Sequence, residues 1–193
     1  MIKTFFQLLL VSLIGLNNAV AADNLYKLST GDIISINVYG EESLTIQELK
    51  IDNRESVDYP YLGEVVLGGK TLQQVQQEIV NGLKGDYLID PKVSVAMVRY
   101  RNVYINGLVN RPGGYEYEPG LTVQEAISLA GGVMSKYRRS AEAYLVKAKE
   151  VSKYQKLSNE ELAEAFDNDM QQEAPLYKSI SPGDTVYVVA SFW

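Results

Sequence analysis

Two aspartates stand where acid–base chemistry would use them. Asp32 lies in "STGDIISINV" and Asp184 in "SPGDTVYVVA", near the two ends of the chain. Glycoside hydrolysis needs two carboxylates facing each other across roughly 5–10 Å, one giving a proton while the other attacks or activates water. Asp32, Asp184 and Glu64 are the carboxylates such a reaction would recruit. Each of the two aspartates also follows a glycine and precedes an apolar run. In that setting a short Asp side chain accepts local backbone amides and tightens a turn. Two identical contexts favour the turn role, because a hydrolytic pair has no need of symmetry.

Other chemistries are excluded by composition. The 193 residues include no cysteine and no histidine, which removes thiol nucleophiles, Ser-His-Asp triads and most zinc sites. The paired glycines at 68–69, 113–114 and 131–132 form no phosphate-binding Gly-x-Gly-x-x-Gly or P-loop pattern and read as turns and helix caps. The net charge of −6 argues against nucleic acid, whose phosphates call for clustered Lys and Arg. The densest basic spot, Lys136-Tyr137-Arg138-Arg139, reads as a solvated loop. No residue is assigned a catalytic, cofactor-binding or metal-ligating role, and no cofactor is expected. The 14 tyrosines include Tyr39, Tyr59, Tyr61, Tyr100, Tyr104, Tyr115 and Tyr117 in or beside hairpins. They suit either sugar-ring contacts or half-buried strands and subunit contacts.

The N-terminal stretch is set apart. One lysine, an apolar run from Phe5 to Leu16 and the small residues Ala19-Val20-Ala21 have the form of a secretory signal peptide over 1–21, the run being too short for the ~20 residues of a membrane span. The mature chain is therefore expected to be exported and soluble, or held at a membrane by partners.

The elements that must position the aspartates follow from periodicity. Ile34, Ile36 and Val38 alternate, predicting a half-buried strand after the Ser29-Thr30-Gly31-Asp32 turn. A second β region covers 49–67, where Pro60 belongs at an edge or bend and Gly63 marks a turn. Leu72, Val75, Ile79 and Leu83 share one helical face, entered by a Thr71–Gln74 capping box. Val93, Val95 and Met97 return to strand. A hairpin is expected around Gly107 and the turn-rich Arg111-Pro112-Gly113-Gly114. A helix follows with Val123, Ala126, Ile127 and Ala130 inward, a Thr122–Glu125 box, and Gly131-Gly132 at its end. A strand over 143–147 leads to a third helix with a Ser158–Glu161 box and a Leu162, Phe166, Met170 stripe. The Pro182-Gly183-Asp184 turn opens the closing strand. The whole reads as α+β, two related small modules with the same turn repeated.

Read in order, these residues resemble the polysaccharide biosynthesis/export proteins of the periplasm and outer membrane. The resemblance rests on Tyr26 through Val38, Pro60 through Leu72, Pro91 to Val95, Val103 to Tyr115, Leu121 to Gly132 and Pro182 to Val188. It implies a polysaccharide-export domain over 23–99 and a soluble-ligand-binding β-grasp (SLBB) domain over 100–193, with Gly31, Asp32, Pro60, Gly63, Gly107, Pro112, Gly113, Gly131, Gly132, Gly183 and Asp184 as structural motif positions. It further implies a non-enzymatic homo-oligomer, a ring that is octameric in typical members, passing a capsule or exopolysaccharide chain. Its partners would be the polymer itself and an inner-membrane polysaccharide co-polymerase.

The chain departs from that pattern. It lacks a cysteine for a lipid anchor, further β-grasp repeats, and an amphipathic helix after the last strand. Asp52-Asn53-Arg54-Glu55 replaces the family's Asp-Gly turn. It is thus closest in pattern to short members that remain periplasmic, associate with the outer membrane and use a separate outer-membrane β-barrel, with Phe192 and Trp193 as candidate contacts to that partner. The rival readings are a monomeric glycan-binding module and a carboxylate-based glycan hydrolase.

Overall fold

The computed structural model describes residues 26–169 and 171–190. The expected signal segment, Phe192, Trp193 and Met170 of the third helical stripe lie outside the described residues.

The first unit is built from β1 (Ile33–Val38), β2 (Ile46–Lys50), β3 (Ser56–Tyr59), β4 (Gly63–Val66), helix α1 (Leu72–Leu83) and β5 (Val93–Arg99). Its main sheet has the order β2-β1-β5, antiparallel throughout, and β3-β4 is a separate hairpin. Thr71 accepts from the Gln74 amide and Gln74 accepts from the Thr71 amide, so the expected capping box starts α1. Val75, Ile79 and Leu83 are wholly buried, packing with Leu28, Ile34, Ile36, Tyr59 and Leu67 in one core. The β3–β4 turn is closed by the Leu62 amide on the Tyr59 carbonyl at 3.1 Å. Pro60 occupies its second position, where a fixed φ fits and a missing N–H costs little.

The second unit contains β6 (Val103–Gly107), β7 (Gly113–Tyr115), α2 (Val123–Leu129), β8 (Ala141–Val146), α3 (Asn159–Asn168) and β9 (Thr185–Ala190). Its sheet runs β7-β6-β9-β8, with β6 parallel to β9 and the other neighbours antiparallel. Both remaining capping boxes are formed. All four inward residues expected on α2 and its end, Val123, Ala126, Ile127 and Ala130, are buried, and Gly131 and Gly132 follow the helix with φ of +78° and +77°. Gly107 ends β6 at φ +87°, and an added Cβ there would sit 2.1 Å from the Val188 carbonyl oxygen; only glycine fits. The turn before β7 ends at Pro112, because Gly113 and Gly114 pair with Ile105 and Tyr104.

The architecture is the expected α+β, with one difference in burial. β1 is enclosed on both faces, since Ile33 and Ser35 are buried along with Ile34, Ile36 and Val38. β9 is likewise double-sided: Val186 and Val188 join the main core of the second unit, while Tyr187 and Val189 pack with Phe166 and Tyr154 beneath α3. Each repeated Gly-Asp turn therefore feeds the central strand of a sheet. The sheets themselves differ, one purely antiparallel and one mixed, so the repetition is of a turn and not of a whole fold.

Candidate functional site

The two turns are superficially the same. The Asp32 amide donates to the Ser29 carbonyl at 3.2 Å and the Ser29 amide donates to Asp32 Oδ2 at 2.9 Å; the Asp184 and Ser181 counterparts are both 3.0 Å. Gly31 and Gly183 take φ of +97° and +88°, a region in which a Cβ is strained. Both aspartates are buried, at 0% and 3% exposure. A carboxylate in that position must be matched by donors or its desolvation is uncompensated.

The matching differs. Asp32 accepts from the Tyr26 hydroxyl at 2.8 Å, the Arg101 amide at 2.8 Å and Arg101 Nη1 at 3.0 Å. Arg101 lies beyond β5 at the start of the second unit. Its Nη1 also donates to the Tyr26 hydroxyl oxygen at 2.8 Å, its Nε donates to the Pro182 carbonyl at 3.1 Å, and its guanidinium lies 5.5 Å from the Tyr26 ring centre. One side chain thus grips both turns. The Gly183 amide donates to the Asn102 carbonyl beside it at 3.0 Å, and a Cβ on Gly183 would lie 2.8 Å from Arg101 Nε. Asp184 is matched within its own unit, by Lys147 Nζ at 2.7 Å and the Ala148 amide at 3.3 Å.

Tyr100 braces the junction, and Glu55 braces the first turn. Tyr100 stands edge-to-face with Tyr26 and Tyr117 at 5.1 and 5.3 Å, a geometry that adds to the area buried. Glu55, in the turn that replaces Asp-Gly, accepts from the Ser29 hydroxyl at 2.6 Å and the Thr30 amide at 3.0 Å. The Ser29 hydroxyl, followed by the Thr30 amide, holds the Glu55 carboxyl below its ordinary pKa against some desolvation. Burial, followed by the hydrogen bond to Asp32, raises the Tyr26 hydroxyl well above its ordinary value, so Tyr26 stays a donor.

This arrangement removes the carboxylates from solution chemistry. Asp32 and Asp184 are each consumed by a turn and a cation, and neither opens an oxygen to a cleft. Glu64, on β4, accepts from the Ser56 hydroxyl at 2.7 Å. Of the other motif positions, Pro60 and Gly63 sit at the β3–β4 turn, Gly107, Pro112 and Gly113 along the β6–β7 hairpin, and Gly131 and Gly132 after α2. Arg101, Tyr26, Lys147 and Glu55 were not foreseen in these roles. Arg101 reaches Asp32 and Tyr26 across the junction, while Lys147 meets Asp184 and Glu55 meets Ser29 within one unit; these pairs are distant in the sequence, and no local pattern marks them.

Between the units lies an open cleft of about 1130 Å³, walled by the first Gly-Asp turn, the 50–54 segment, residues 99–102 and Tyr104. Tyr104, half exposed, and Tyr100 supply aromatic surface there. Among the described residues no helix is long and apolar enough to cross a membrane.

Two family models match successive parts of the chain. Residues 20–98 match the family described as polysaccharide biosynthesis/export protein, and residues 102–148 match the SLBB domain. The chain is 43% identical over 82 residues to the exopolysaccharide production protein ExoF of Rhizobium meliloti, a match covering 40% of this chain and 19% of that protein. It is 28% identical over 133 residues to the EPS I polysaccharide export outer membrane protein EpsA of Ralstonia nicotianae, covering 56% of this chain and 35% of EpsA. The matched stretch is thus a minor part of each relative's length. The chain thus carries a polysaccharide biosynthesis/export domain followed by an SLBB domain.

Proposed function

We propose that the protein is a periplasmic, outer-membrane-associated component of a capsule or exopolysaccharide export machine. Identical subunits close a ring, octameric in the simplest case, around a passage for the polymer. The export domain spans 23–99 and the SLBB domain the residues from 100 on. The observation that carries this reading is the order of the two matched domains on one chain, linked through Arg101. The engaged state of Asp32 and Asp184 supports a role without bond chemistry.

Subunit contacts use strand edges and the hairpin tips around Pro60 and Pro112. The outer edges of β2 and β7 carry no strand among the described residues, and such edges pair readily with another chain. The inner-membrane partner is a polysaccharide co-polymerase, and a separate outer-membrane β-barrel receives the polymer, with Phe192 and Trp193 as its contact. Energy comes from polymer synthesis elsewhere.

Deleting the chain should abolish surface polymer while the polymer is still made, and secretion at the normal level would refute the reading. Light scattering of the purified protein separates a ring from the monomeric rival: a mass of one subunit together with tight oligosaccharide binding favours the glycan-binding module. Removing Phe192 and Trp193 should block secretion and leave folding intact.

A further inference from the structure

We propose that the cleft at the domain junction binds an acidic glycan, a polymer whose sugars carry carboxylates. The inference rests on the export reading and names the substrate class it leaves open. Four cations line the cleft: Lys50, Arg54, Arg99 and Arg101. Two are already spent, Arg101 on Asp32 at 3.0 Å and Arg54 on Asp52 at 3.1 Å. Lys50 and Arg99 have no ion-pair partner among the described residues.

Their placement is fixed by the sheet. Ile33 of β1 pairs with Lys50 of β2 on one side and with Arg99 of β5 on the other, and directly opposed residues share a face. The two cations therefore flank a floor made by Ile33, which itself lines the cleft. Glu116 is the remaining carboxylate on the wall, so the unneutralised charge there is positive in a chain whose net charge is −6. Holding two like charges near each other in an acidic protein gains nothing for folding, while a carboxylate-bearing ligand would satisfy both. Tyr104 and Tyr100 supply ring faces and edges, and Asn53 and Asn102 supply amides able to meet hydroxyls. Charge, aromatic surface and neutral donors together suit a uronic-acid chain better than a neutral one, and an open cleft suits a polymer that must also leave.

The test is titration calorimetry of the full chain with a galacturonic acid hexamer at low salt, beside the same hexamer fully methyl-esterified. The acid should bind at least about fivefold more tightly than the ester. K50Q/R99Q should weaken it by about tenfold, as two partly screened charge contacts predict. Both side chains are exposed, so that variant should melt as the parent does. K136Q/R138Q, which removes cations outside the cleft lining, should bind as the parent does. Equal binding of acid and ester, absence of acid binding, or equal loss in both variants would overturn the site. If deletion blocks secretion while acid and ester bind alike, the export reading stands and the acidic site falls. If the acid alone binds and deletion leaves secretion intact, the site stands and the export reading falls.

Discussion

The turn at Gly31-Asp32 and the turn at Gly183-Asp184 share sequence, backbone geometry and burial, yet they do different work. Asp32 takes its cation from across the domain junction, and Arg101 has only 23% of its side chain exposed. Asp184 takes Lys147 from its own unit, with 47% of that side chain in solvent. A local motif sets the turn, while the identity and burial of the distant partner decide whether the turn joins domains or merely caps a strand. The lesson is physical: a buried carboxylate whose partner is also withdrawn from water is costly to orphan, and one whose partner reaches solvent is less so.

The largest expected effect breaks the comparison at its stronger side. Asp32→Ala leaves Arg101 and the Tyr26 hydroxyl without their acceptor and should destabilise by about 3–5 kcal/mol, read as a lowered denaturant midpoint. Asp184→Ala should cost about 1–2 kcal/mol, the loss of backbone hydrogen bonds with Lys147 free to turn into water. Equal losses at the two positions would show that the partner's burial does not matter. Lys147→Met should change stability by less than about 1 kcal/mol, and a larger loss would place Lys147 in the same class as Arg101.

The smallest effect is one of pH. The Glu55 carboxyl is held below its ordinary pKa by the first turn, so its contribution is present above the unfolded value. It is lost as pH falls through the folded one. Glu55→Gln should therefore show a shallower loss of stability on acidification than the parent. A parallel fall in both proteins would mean that Glu55 gives the first turn no support.

Much of this was legible in the sequence. All three helices were marked by an apolar face of period 3.6 and by Thr or Ser with Gln or Glu three residues on, because both signals are local. The twin turns were legible for the same reason. The double-sided burial of β1 was not, since Ser35 and Asp32 read as polar until the sheet and Arg101 enclose them. The parallel pairing of β6 with β9 joins Tyr104 to Thr185, a relation no local window contains. Arg101 was illegible on the same grounds: Asp32, Tyr26 and the Pro182 carbonyl lie 69, 75 and 81 residues from it. In "VRYRNVY" nothing separates it from Arg99, which faces the cleft. Of the cleft lining, the tyrosines were singled out as sugar-ring contacts or packing, and Gly31, Gly183 and the 52–54 stretch only as turns. Lys50 and Arg99 come together only through the register of β1.

The claim beneath all of this is that Arg101 fastens the two domains into one body through Asp32. A double-mutant cycle of Asp32→Asn and Arg101→Met, read by denaturant unfolding, measures that link directly. The account predicts a coupling of about 2 kcal/mol or more, with the parent unfolding in a single transition. Additivity within about 0.5 kcal/mol, or two separate transitions in the parent, would contradict it.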